Sequence, residues 1–179
     1  MSAERIAIRY AKPILELAEE KNLLDPVKED MESFALLCKE NRDFSLMLKS
    51  PIIPHKKKAD ILSRAFSGKY NDLTIQAFDL MTRKNRESLL ESVANEFVTL
   101  YNKKKGISHV SVTTTIKLDA GQKKSFEQLA SSITGNKPVI EEKIDKDILG
   151  GFIMKFEDKQ IDDSVRGRLN ELKLKFSNQ

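Results

Sequence analysis

The hydrophobic period of this chain changes at Gly106. Before it, apolar residues recur at helical spacing; after it, they alternate with polar ones. Period limits what a segment can become, because a helix repeats its face every 3.6 residues and a strand every 2. The change predicts an α+β protein of two domains: a helical domain over 1–105 and a small α+β domain over 106–179. The 179 residues suffice for that division.

In the first half the pattern predicts a six-helix bundle. Helix one covers about 3–21. Asp25 and Pro26 supply an N-cap and a first-turn proline for helix two, with Val27, Met31, Phe34 and Cys38 on one face. A short third helix lies around Phe44 to Leu48, and Pro54 opens a fourth that ends near Gly68. Asn71 caps a fifth, up to about Lys84. The sixth, Glu87 to Lys105, buries Leu89, Val93, Phe97 and Leu100 and stops at Gly106.

In the second half Val110, Val112, Thr114 and Ile116 read as one face of a strand. Asp119 and Gln122 form a capping-box pattern, followed by Phe126, Leu129 and Ile133 at helical spacing up to Gly135. "PVIEEKI" and "GGFIMKF" are strand candidates. Glu157-Asp158-Lys159 reads as a hairpin turn into "QID". In "IDDSVRGRLNELKLKF", Val165, Leu169, Leu172 and Phe176 fall on one helical face, and Asp162, Asp163 and Ser164 suit its N-terminus. Asp162 and Arg166 stand four apart and could pair. An anion cradle there would need several glycines before the helix, and acids stand in their place.

Nothing in the sequence assembles a catalytic site. His55 and His109 are the only histidines, and neither has a Ser or Cys and an acid in a nucleophile pattern. Glu141 and Glu142 point to opposite faces of a strand. Gly150-Gly151 lacks the further glycines of a dinucleotide loop and reads as a tight turn or close backbone approach. Cys38 is the single cysteine, so neither a disulfide framework nor a cysteine metal site is expected, and it reads as a core residue. No enzyme, metal or cofactor is predicted. Basic and acidic residues nearly balance, 31 to 27, which implies a mixed surface. The runs Lys56-Lys57-Lys58 and Lys103-Lys104-Lys105 read as solvated helix ends. "MSAERIAIRYAK" lacks a signal-peptide core, and no stretch is long and apolar enough for a membrane span, so a cytosolic or membrane-peripheral place is expected.

Two helices carry more apolar surface than one core needs. On helix one, Ile6, Tyr10, Pro13, Ile14 and Leu17 cluster, and Ala7, Ala11, Leu15, Ala18 and Ile8 continue the arc to about 220°. On helix five, Leu73, Ala77, Leu80 and Met81 merge with Phe78 and Ile75, while Asp72, Gln76, Asp79 and Arg83 share a narrow stripe. Helix six is also broad, so arc width leaves two readings: a central helix, or a groove for an amphipathic partner helix. Pro13 removes the bond to the Arg9 carbonyl, costs about 3 kcal/mol in a straight helix, and predicts a kink.

"RYAKPILELA", Gly150-Gly151-Phe152-Ile153 and "IDDSVRGRLNEL" together resemble the delta subunit of F-type ATP synthases, whose mitochondrial counterpart is the oligomycin-sensitivity-conferring protein. The resemblance spans the chain. It departs at Pro13, where the family usually has a small residue, and at Asp163, where glycine or threonine is common. It implies a non-catalytic peripheral-stalk (stator) subunit without cofactor, serving ion-driven ATP synthesis. By that resemblance the N-terminal domain binds the N-terminal helix of the alpha subunit between helices one and five. The implied groove comprises Ile6, Tyr10, Pro13, Ile14, Leu17, Ala77, Leu80 and Met81. The C-terminal domain is implied to bind the C-terminal region of the stalk b subunits. Gly150, Gly151, Asp162, Ser164, Arg166 and Gly167 become a structural strand-to-helix junction. Localisation would be the cytoplasmic face of a bacterial inner membrane, through the complex only. Two rivals are a basic nucleic-acid-binding adaptor, suggested by the lysine runs, and a phosphate-using enzyme with Arg166 and Arg168 as clamps.

Overall fold

The computed structural model describes residues 3–156 and 159–177, with the side chains of all but 3, 4, 172 and 177. The chain divides into two compact units between Asn102 and Lys103. Among the described residues it forms eight α-helices and one four-stranded sheet.

The first unit holds α1 (Ala3–Glu20), α2 (Leu24–Glu40), α3 (Arg42–Lys49), α4 (His55–Phe66), α5 (Asp72–Arg83), a 3₁₀ turn (Glu87–Leu89) and most of α6 (Leu90–Lys105). Its centre is aromatic. Phe34 of α2 meets Phe44, Phe66 and Phe78 at ring-centroid distances of 5.9, 5.6 and 4.6 Å. Phe66 stacks on Tyr70 at 4.5 Å. On α1, Ala7, Ala11 and Ala18 are buried with Leu15, and their small side chains suit close packing on the core.

Caps decide several boundaries. Asn71 accepts from the Leu73 amide and starts α5, as the sequence suggests. Asp30, buried on α2, secures that corner by accepting from the Asn71 amide and the Thr74 hydroxyl, both at 2.7 Å. Asp25 does not cap α2. The helix begins two residues earlier than expected, at Leu24 after Leu23, with no side-chain cap. Asp25 instead accepts from the Tyr101 hydroxyl at 2.5 Å. Pro26 is then inside the first turn, where a missing N–H removes no intrahelical bond. Pro13 also sits within a helix, and α1 runs unbroken through it from Ala3 to Glu20.

The second unit contains β1 (Ile107–Thr114), α7 (Ala120–Thr134), β2 (Lys137–Ile144), a 3₁₀ turn (Lys146–Ile148), β3 (Phe152–Phe156), β4 (Lys159–Asp162) and α8 (Val165–Ser177). Strand order is β2-β1-β3-β4. β1 and β2 are parallel and connected through α7, while β1–β3 and β3–β4 are antiparallel. Val110, Val112, Met154 and Phe156 form the core with Leu118 and Ala130, and Phe126 meets Phe152 edge-on at 5.0 Å. The Asp119–Gln122 capping box is present, and Gly135 ends α7 in the left-handed conformation. Ile116 departs from expectation: β1 ends at Thr114, and Ile116 is exposed beyond it. Thr114 terminates the strand by bonding the Ile116 carbonyl with its hydroxyl. Two residues of the expected hairpin turn, Glu157 and Asp158, lie outside the described residues; Phe156 stands opposite Lys159 in the β3–β4 pair.

Candidate functional site

A groove of about 580 Å³ runs between α1 and α5. Tyr10, Pro13, Ile14 and Leu17 line it from α1; Leu73, Ala77, Leu80 and Met81 line it from α5. The wide apolar arcs thereby divide into two uses. Ala7, Ala11 and Leu15 of α1, and Thr74 and Phe78 of α5, are buried in the unit's own core. Leu17 and Leu80 remain 46% and 52% exposed at the groove. Ile14 and Met81, at 9% and 1%, form its floor and belong to the core as well. Seven of the eight expected groove residues therefore come together. Ile6 is half-buried and does not line the groove.

Four further residues line the groove beyond the implied set: Arg9, Lys21, Leu73 and Gln76. Leu73 sits inside the apolar arc already identified. Arg9 and Gln76 are polar, but each stands four residues before an apolar groove residue of its own helix. Proximity on the wheel to Pro13 and Leu80 is the signal that finds them.

A smaller hollow of about 250 Å³ lies on the other flank of α5, lined by Leu62 and Phe66 of α4 and by Ile75, Phe78, Thr82 and Arg83 of α5. The Asp79–Arg83 ion pair, 2.8 Å, lies along it.

In the lysine run at the start of α4, Lys56 and Lys57 are exposed as a solvated helix end would be, but Lys58 is not. Lys58 is only 2% exposed and donates to the Leu48 carbonyl (2.9 Å) and to Glu87 Oε1 (2.8 Å). His55 Nδ1 meets the same carboxylate oxygen at 2.8 Å. Burial pushes the Glu87 carboxyl up, but hydrogen bonds from Lys58, its own backbone amide and His55 outweigh it and hold it below its ordinary value. The cluster pins the end of α3, the start of α4 and the entry to α6. It presents no nucleophile and no open substrate space. It also withdraws one cation from the patch that suggested nucleic-acid binding.

The Gly150–Gly167 junction assembles nearly as expected. The Gly150 carbonyl accepts from the Val165 amide, and the Ser164 hydroxyl accepts from the Gly167 amide and so caps α8. Asp162 accepts from the Ser164 amide. Hydrogen bonds to Ser164, then the charge of Arg166, hold the Asp162 carboxyl below its ordinary value. A Cβ on Gly151 would stand 2.2 Å from the Asp163 carbonyl oxygen, so only glycine permits this approach. The ion pair differs from expectation: Arg168 pairs with Asp163, and Arg166 is exposed. The register of the helix start decides this, since Ser164 takes the cap and Asp163 is left facing the next turn. Arg166 and Arg168 stand two positions apart on α8, about 200° around the helix, so they do not leave it as a clamp on one side.

The family model described as ATP synthase delta (OSCP) subunit matches residues 6–176. A relative from Cytophaga hutchinsonii, called ATP synthase subunit delta, is 39% identical over all of this chain and 98% of its own length. Another of that name from Lactobacillus johnsonii is 35% identical over 97% of this chain and 95% of its own. A chain in the structure of the Toxoplasma gondii mitochondrial ATP synthase hexamer shares the fold, with a TM-score of 0.73 at 23% identity, covering 95% of this chain and 96% of that one. No described helix is long and apolar enough to cross a membrane. The chain belongs to the ATP synthase delta (OSCP) subunit family and is a non-catalytic subunit of the enzyme's peripheral stalk.

Proposed function

We propose that the α1–α5 groove is where this stalk subunit holds the catalytic head, by receiving the amphipathic N-terminal helix of an alpha subunit. On this reading α1 to α6 act as a six-helix, head-binding domain over 1–105. The domain over 106–179 takes the C-terminal region of the b subunits. The chain thus keeps the head from turning with the rotor, at the cytoplasmic face of the bacterial inner membrane and only through the complex.

The observation that carries the reading is the exposed apolar surface of Leu17 and Leu80 facing one trough. A partner helix burying its own apolar stripe there gains affinity by desolvation. In the second domain, α8 leaves Val165, Leu169 and Phe176 exposed along one face, which supports a second docking surface. Titration calorimetry with the alpha-subunit N-terminal peptide tests the groove. Leu80→Asp places a charge that stays in water in the free protein but is buried beneath a bound helix. Affinity should fall by about 2 kcal/mol or more, with little change in melting temperature. A large drop in melting temperature would make Leu80 a core residue, and a wild type indifferent to the peptide would remove the head-docking assignment.

A further inference from the structure

The charge around the α1–α5 groove is of one sign. Arg9 and Lys21 both line it, and no carboxylate does. This is a local arrangement, because residues 1–102 contain 16 basic and 16 acidic side chains. Of the acids beside lining residues, Glu16 lies by Lys12 at 3.9 Å and Asp79 is paired with Arg83, while Glu20 and Asp72, next to Lys21 and Leu73 in the chain, stand outside the lining. Among the described residues, no hydrogen bond or ion pair engages the Arg9 or Lys21 side chain.

The two cations are twelve positions apart, one in the first half of α1 and one just past its C-terminal end. At 1.5 Å per residue that is about 18 Å of trough. An apolar stripe fills the floor without preferring a register or an identity, since desolvation is non-directional. Two cations at separate points of the mouth supply both, because like charge opposite them is repelled and opposite charge is drawn in.

We propose that the groove selects an amphipathic helix whose apolar stripe is bounded by carboxylates about 12 residues apart, one for Arg9 and one for Lys21. This rests on the docking reading above and specifies the partner's chemistry. Basic-flanked helices of equal hydrophobicity are rejected.

The test uses the full chain and three synthetic helical peptides with one apolar stripe and either Glu, Gln or Lys at the two flanking positions. Wild type should bind them in the order Glu, Gln, Lys, with the Glu peptide roughly 10-fold tighter than the Lys peptide at low salt. The difference should shrink near about 0.5 M salt, where exposed charges are screened. Arg9→Glu with Lys21→Glu should reverse the order, and that gain of Lys-peptide binding shows that the variant has kept its fold. Equal affinity of wild type for all three overturns the inference, and the docking reading survives that result if Leu80→Asp still weakens each of them. Failure of all three to bind overturns both.

Discussion

Lys58 shows how a single residue can be misread from its neighbours. Two exposed lysines precede it, so the run looks like a solvated helix end. Yet Lys58, Leu62 and Phe66 fall at i, i+4 and i+8, and all three are buried. The spacing was legible, but its partner Glu87 lies 29 residues away and no local pattern announces it. Removing one member of such a pair strands the other as a buried charge. Lys58→Met should therefore cost about 3 kcal/mol or more in urea denaturation. Adding Glu87→Leu should recover most of that, because Glu87 Oε2 has no partner among the described residues even in the wild type. The same pair sets an acid dependence. The folded carboxyl titrates below its ordinary value of 4.5, so its contribution is full above that pH and is lost as pH falls through the lowered value. Acid titration of stability should show a steeper decline for wild type than for the double variant. Parallel curves would mean that the pair contributes nothing.

At the level of elements, legibility followed locality. The caps of α5 and α7 are satisfied within three residues, and Asn71 and the Asp119–Gln122 box were readable as written. The start of α2 was not, because Asp25 is engaged by Tyr101 from α6, 76 residues on. The face of α8 was legible as apolar, but periodicity says nothing of what covers a face, and Val165, Leu169 and Phe176 are exposed in the isolated chain. The β3–α8 corner depends on Gly151, whose φ of 76° and contact with Asp163 both exclude a side chain. Gly151→Ala should destabilise by about 2 kcal/mol or more, through backbone strain plus displacement of the Asp163 carbonyl. Gly135 supplies the control. Its φ is 69°, but nothing lies within 4 Å of an added Cβ. Gly135→Ala should therefore cost only the left-handed backbone term, about 1 kcal/mol. Equal losses for the two variants would locate the effect in φ alone and not in the close approach at the corner.

Across the whole molecule, the change of period at Gly106 separates two cores with different chemistry. One is an aromatic cluster around Phe34, and the other is a sheet face built on Val110, Val112 and Met154. About 100 residues can bury enough surface to fold alone, so a fragment ending at Lys105 should be helical and melt cooperatively. Tyr101 offers a sharper criterion than helicity. Its bond to Asp25, aided by burial, lifts the phenol from its ordinary 10.0 to about 12, and burial lifts the Cys38 thiol to about 12. Both are acids whose folded value is raised, so their stabilisation is complete below the ordinary value and is lost as pH climbs toward 12. The fragment should accordingly lose stability over this alkaline range along the same curve as the full chain. Phenolate absorbance should register Tyr101 as the late titration, with Tyr70, which burial also lifts, above its ordinary value as well. Replacing Asp25 with Asn removes the anion and should bring that titration down toward the ordinary range. A fragment in which Tyr101 titrates near its ordinary 10.0 would be helical without having docked α6 on α2, and the first 105 residues would then not be an autonomous domain.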